Sequence, residues 1–291
     1  MKAEAVSTPH TYHGEGVIWH NDWGNGHAAL RYVDMLAGDV LELQDDGDVR
    51  RFHVGDVAAA LRPRLGGGAI VATERGFALT RSADFDDIER IDDLWPADHE
   101  PRTRFNDGGC SPDGSFYMGS MAYDQSEGAA SMWRLDPNHM PSHVFGDVTI
   151  SNGLCWSPDG TLAYYNDTPT RTIQVFDWNP EDGLVNPRPF VRLEDGIGYP
   201  DGLTVDAEGG VWTALFGGSA VRRYDAAGEL SEIVEVGPSQ VTCPAFGGIN
   251  LDTLYITTSR ENLPDDAEPE AGALFACTPG VIGLPTLPYG G

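Results

Sequence analysis

Lysine is almost absent from this chain: Lys2 is the only one, and every other fixed positive charge is an arginine. With 18 basic residues against 45 acidic ones, the formal net charge is −27. So acidic a surface repels phosphate backbones and anionic headgroups, which excludes nucleic acid and membrane as expected partners. A high-GC coding preference for arginine and adaptation to high salt both account for such a composition, the aspartate excess suiting the second. Neither names a reaction. Long apolar runs are lacking too. No stretch of 18 or more apolar residues occurs, so no transmembrane helix is expected. The opening residues MKAEAVSTPHTYHGEG contain no apolar core of a secretory signal, and a cytoplasmic location is the expectation. Cysteine is scarce. Cys110, Cys155, Cys243 and Cys277 stand far apart without CxxC spacing, which argues against a disulfide framework and a zinc site. Long amphipathic helical windows are missing; VGDVAAALRP is the one short candidate.

What the chain has is turn chemistry and short β-like runs. AALRYVDM, AIVATERGFALT, SFYMGSM, TLAYYNDT, TIQVFDW, GVWTALF and TLYITTS are separated by Gly, Pro and Asp-Gly turns. The chain reads as all-β. Aligning on a residue followed by Gly at the start of a small apolar run yields six positions: Glu15, Leu65, Asp107, Asn152, Asp201 and Phe246. The intervals are 50, 42, 45, 49 and 45 residues. Three units continue alike, as SPDGSFYMGS, SPDGTLAYYND and DAEGGVWTAL. A repeat of roughly 40–50 residues with about four strands is the signature of a β-propeller. The 291 residues accommodate six such units, so the expectation is a single six-bladed propeller domain over residues 1–291 with a central metal site.

Equivalent positions of a propeller lie on a ring about its axis. Four of the six carry oxygen: Glu15, Asp107, Asn152 and Asp201, with Asn106 open as an alternative to Asp107 if the register slips by one. Carboxylates gathered at a tunnel mouth repel one another unless a cation joins them, and oxygen donors suit a hard divalent ion. Other residues invite blander readings. Ser111 and Ser157 precede Pro-Asp-Gly turns and read as hairpin residues rather than nucleophiles. The glycines at 66–68 lack the context of a nucleotide loop. His10, His13, His20 and His27 show no ligand spacing, and His13, beside the GEG motif, reads as a surface residue near the site.

The segments HGEGVIWH, RFNDGGCSPDGSFYMGSM, SNGLCWSPDGTLAYYNDT, YPDGLTVDAEGGVWTALFGG and CPAFGGINLDTLYITTSR resemble the SMP-30/gluconolactonase family, also called regucalcin-like lactonases, in order and spacing across essentially the whole chain. The resemblance implies a six-bladed propeller that binds one divalent metal ion (Ca, Mn, Zn, Mg or Fe(II)) and hydrolyses a sugar lactone. By motif, Glu15 of GEG, Asn152 of SNG and Asp201 of PDG match the family's metal ligands. Arg104 and Asn106 of RFND match substrate-contacting positions, and Asp124 falls where many relatives carry a glutamate that contacts substrate hydroxyls. Asp201 is the expected general base. The expected partner is a small sugar lactone, with the protein a monomer or weak homo-oligomer. Two alternatives stay open: a phosphotriesterase-like hydrolase on the same metal, and a calcium-binding propeller without catalysis.

Overall fold

The architecture follows from strands too short to bury a core alone and from turns that fold each group of four into one antiparallel sheet. In the computed structural model, which describes residues 1–291, the chain forms six four-stranded sheets. Their inner strands are Gly14–His20, Ala60–Pro63, Thr103–Cys110, Ser151–Trp156, Tyr199–Val205 and Val241–Gly247. In blades 1 to 5 the remaining three strands follow in sequence order. Blade 6 is completed from the other end of the chain, where Glu4–Ala5 pairs antiparallel with Phe275–Cys277. The all-β expectation and the blade count hold, and VGDVAAALRP is a loop leading into the inner strand Ala60–Pro63, with no helix. No helix is long and apolar enough to cross a membrane.

Two further ties close the ring. The Ala3 N–H donates to Glu235 O in blade 5 at 2.9 Å, stitching the chain start across the seam between blades 5 and 6. The C-terminal segment straps the opposite face. Gly283 N–H donates to Leu251 O at 2.7 Å, Thr286 Oγ1 to Trp19 O at 3.0 Å, and Tyr289 N–H to Pro63 O at 2.8 Å. Leu284 and Leu287 line a cavity of about 390 Å³ at that end of the tunnel. The Tyr289 ring is fully enclosed beside blades 2 and 3.

Five of the six inner strands carry a break in register near the start, where the strand bends and re-aims a side chain. The breaks fall between Glu15 and Ile18, Phe105 and Gly108, Ser151 and Leu154, Pro200 and Leu203, and Val241 and Pro244. Pairing of Gly14 with Asp34 matches pairing of Ser151 with Asp167, which makes Glu15 equivalent to Asn152. The ring positions are therefore Glu15, Asn106, Asn152, Asp201 and Thr242, while blade 2 contributes the apolar run Val57–Ala60. This corrects three members of the repeat alignment. Leu65 lies in the turn between the first two strands of blade 2 and is 72% exposed. Phe246 sits at the far end of its strand, edge-on to Trp212. Asp107 is the second bulge residue, the place that Gly153 and Gly202 hold in blades 4 and 5, so its neighbour Asn106 takes the ring position.

The glycine of the motif has a packing cause. A Cβ on Gly153 would stand 2.4 Å from Leu203 N, and one on Gly202 would stand 2.8 Å from Cys243 Cα. Inner strands of adjacent blades approach too closely for a side chain there. All four cysteines are free thiols, with Cys110 and Cys243 buried and Cys155 and Cys277 partly so.

Candidate metal centre

The bulges turn Glu15, Asn106, Asn152 and Asp201 into one small cavity of about 100 Å³ at the tunnel mouth. Each of the four is at most 5% exposed. Local hydrogen bonds hold them. The Gly16 N–H donates to Glu15 Oε2 at 3.0 Å. Asn152 Nδ2 donates to Thr168 Oγ1 at 2.8 Å, and that hydroxyl donates to Pro200 O at 2.9 Å. Asn106 Nδ2 donates to Ser151 O at 2.8 Å and reaches Asn152 Oδ1 at 3.3 Å. Asn166, wholly buried, donates to the backbone oxygen of Asp201 at 2.6 Å. The sixth position is silent because Thr242 spends its hydroxyl on Gly14 O at 2.6 Å.

The electrostatics are those of an acidic cluster out of water. Burial, with the charge of Asp107 adding, pushes the Glu15 carboxyl up to about 8. Burial followed by the charges of Glu15 and Asp107 raises the Asp201 carboxyl well above its usual range. Asp107 itself is raised by burial, an effect the nearby Arg62 offsets in part. Asp201 Oδ1 is buried and accepts no hydrogen bond. A buried, unpartnered carboxylate oxygen beside a second carboxylate is costly unless a cation meets it. No three histidine, cysteine or acidic side chains stand close enough to hold a metal as a group. The donor set is instead two carboxylates and an amide oxygen, and an all-oxygen set of this kind suits a hard divalent ion that keeps water on its remaining positions.

Arg104 is 4% exposed, so it is no blade-edge arginine. Its Nη1 donates to Asn106 Oδ1 at 2.6 Å and to Phe105 O at 3.0 Å, and lies 3.0 Å from Met35 Sδ. No carboxylate pairs with it directly, and the guanidinium lines the cavity. Asp124 does not reach the cavity. It is exposed, and its Oδ1 accepts from the N–H and hydroxyl of Ser126 at 3.0 and 2.7 Å, closing its own turn. The loop presents Gln125 instead, in a left-handed conformation at φ 58°. Tyr123, next to it, stands at the rim, donating to Glu74 Oε1 at 2.7 Å with Arg102 over its ring at 4.6 Å.

Two lining residues escaped the sequence reading. His13 is 7% exposed and faces the cavity, where a surface position was expected. Burial, then the charge of Arg104, pushes its pKa down to about 3, so the ring is neutral. Glu261, from the loop after Thr253–Thr258, lines the cavity beside it, with Oε2 3.8 Å from His13 Nδ1. The order HGEG was the only trace of His13, and nothing in the local pattern marked Glu261.

Comparison with known proteins follows the same lines. Residues 13–260 match the family model described as SMP-30/Gluconolactonase/LRE-like region. The chain is 32% identical over 301 residues to regucalcin from Danio rerio, covering 100% of this chain and 99% of the relative. It is 32% identical over 267 residues to the 6-deoxy-6-sulfogluconolactonase of Pseudomonas putida, covering 90% of each. Among solved structures, the calcium-binding protein regucalcin from Agrobacterium tumefaciens superposes with a TM-score of 0.88 at 28% identity, over 99% of this chain and 97% of that one.

Proposed function

The chain belongs to the SMP-30/gluconolactonase/LRE-like family, and from that we propose that it is a metal-dependent hydrolase opening a sugar lactone to the aldonic acid. One observation carries the reading: the unpartnered Asp201 Oδ1 shares a small cavity with a buried arginine that makes no direct salt bridge. A structural ion alone would call for no buried guanidinium facing the same cavity. The lactonase name of a relative covering nine-tenths of the chain supports the same class of substrate.

Glu15, Asn152 and Asp201 would hold one divalent cation, and Ca²⁺, Mn²⁺, Zn²⁺, Mg²⁺ and Fe²⁺ all accept such oxygen donors. An ion held there would supply Lewis-acid polarisation to a lactone carbonyl. Asp201 orients a water molecule and takes one of its protons as the water oxygen bonds to the carbonyl carbon. The ring C–O bond then breaks, and the proton passes to the departing ring oxygen, leaving the hydroxy acid. Arg104, fixed on one edge by Asn106 and Phe105, offers its remaining N–H groups to the lactone oxygens. Asn106 keeps Arg104 and Asn152 in mutual register. Asp124 is left out of this proposed set, since it is exposed and its carboxylate accepts from Ser126. Four free thiols fit a reducing compartment such as the cytoplasm.

The test is a pH-indicator screen of aldonolactones with protein stripped of metal and reloaded with each ion in turn. Acid release should appear with at least one lactone and vanish on stripping. Lactones left intact with every ion would overturn the reading.

A further inference from the structure

One wall of the cavity plays no part in holding the ion or in the Arg104–Asn106 pair. It is made by His13 and Glu261, which a backbone bridge between His13 and Ser259 brings together across the seam between blades 1 and 6. Ser259 is wholly buried, and its Oγ lies 2.8 Å from His13 Nδ1. The same oxygen accepts from the Glu261 N–H at 3.0 Å. Its own hydrogen has two possible acceptors, Nδ1 at 2.8 Å and Tyr12 O at 3.5 Å, and the shorter contact wins. Nδ1 is then the acceptor, which leaves the ring proton on Nε2. Nε2 has no partner in the protein, and the ring faces the cavity. The Glu261 carboxylate likewise accepts no hydrogen bond, although its charge is felt by Arg104 and Asp201. Its Oε2 stands 3.8 Å from Nδ1, beyond hydrogen-bond reach, and its side chain is 29% exposed. A fixed donor and a free acceptor thus face the same small space.

We propose that His13 Nε2–H and the Glu261 carboxylate grip adjacent hydroxyls of the substrate, with Ser259 as the positioning residue that sets the histidine tautomer. The assignment rests on the lactonase reading and places adjacent hydroxyls of the sugar lactone against this wall. A vicinal diol offers one oxygen to accept from Nε2–H and one hydroxyl to donate to the carboxylate. An unsubstituted lactone offers neither, and its binding leaves both protein groups without partners.

Two lactones and one spectrum decide it. With metal restored, kcat/KM is measured on D-glucono-1,5-lactone and on δ-valerolactone for the wild type, His13→Leu and Glu261→Ala. Each variant should lose about ten- to hundredfold on the hydroxylated lactone, the worth of a hydrogen bond to a polar or charged group. On δ-valerolactone each should stay within about twofold of wild type. Long-range ¹H–¹⁵N correlation of the wild-type histidines should show His13 protonated on Nε2. Ser259→Ala should abolish that preference and raise KM for the hydroxylated lactone alone. A wild-type ring protonated on Nδ1 would overturn the assignment without any variant needing to fold. Equal losses on both lactones, or no loss on either, would overturn it while leaving lactone hydrolysis intact. A wild type inert toward every lactone would remove the lactonase reading and this assignment with it.

Discussion

Asp201 joins two demands at one side chain, since it belongs to the proposed cation site and is also the proposed base. In the cation-free protein its carboxyl sits among Glu15 and Asp107 with burial raising all three, so its presence costs stability. Asp201→Asn removes that cost with little change of shape. Activity should fall by about 10²–10⁴-fold, the range for losing a positioned proton acceptor, while the cation-free variant should melt at a higher temperature than cation-free wild type. Lactone turnover and a thermal melt read the two effects separately. A variant with undiminished turnover would deprive Asp201 of its role as base. Three of the ring oxygens were visible in GEG, SNG and PDG because each is flanked by the glycine its bulge requires. In RFNDG the bulge places Asp107 where the others have glycine, so the Gly-flanked residue was the wrong one and Asn106 the right one. Asp124 differs from these: in MAYDQS its carboxylate accepts from Ser126 and lies outside the cavity lining.

At the scale of strands, the close approach of neighbouring bulges is what makes a ring of separate blades into a single site. Gly153 lies against the backbone nitrogen of Leu203, immediately after Asp201 and Gly202. Gly153→Ala would drive a methyl to 2.4 Å from that nitrogen and 2.6 Å from Leu203 Cγ. We expect a loss of about 1–3 kcal/mol, typical of overpacking in a closed core, read as a lower urea midpoint. Catalysis should suffer in the same variant, because Asn152 and Asp201 sit on the two strands being pushed apart. Strand existence was legible throughout, since Asp-Gly turns and alternating apolar runs report local backbone preference. Strand register was less so: Leu65 and Phe246 satisfied the Gly rule yet lie at the turn and the far end of their strands.

At the scale of the molecule, the net charge of −27 acts on the product more than on the substrate. A neutral lactone approaches without penalty, whereas the aldonate anion is repelled and leaves. Salt shortens the reach of that field from ~10 Å near 0.1 M to ~3 Å near 1 M. Product inhibition should therefore strengthen as ionic strength rises, with the inhibition constant of the aldonate falling while KM for the lactone changes little. Initial rates at several salt and product concentrations check this, and a salt-independent inhibition constant would show that the field does not reach the mouth.

The sequence alone determined the strand content, the blade number and three of the oxygens at the tunnel mouth, since each is written in local chemistry that recurs once per blade. It could not determine the wall made by His13 and Glu261. These residues lie 248 positions apart and meet only because Glu4–Ala5 closes blade 6 and brings the end of the ring back to its beginning. Neither residue carries a neighbour that betrays its role. Ring closure alone makes them face the same cavity.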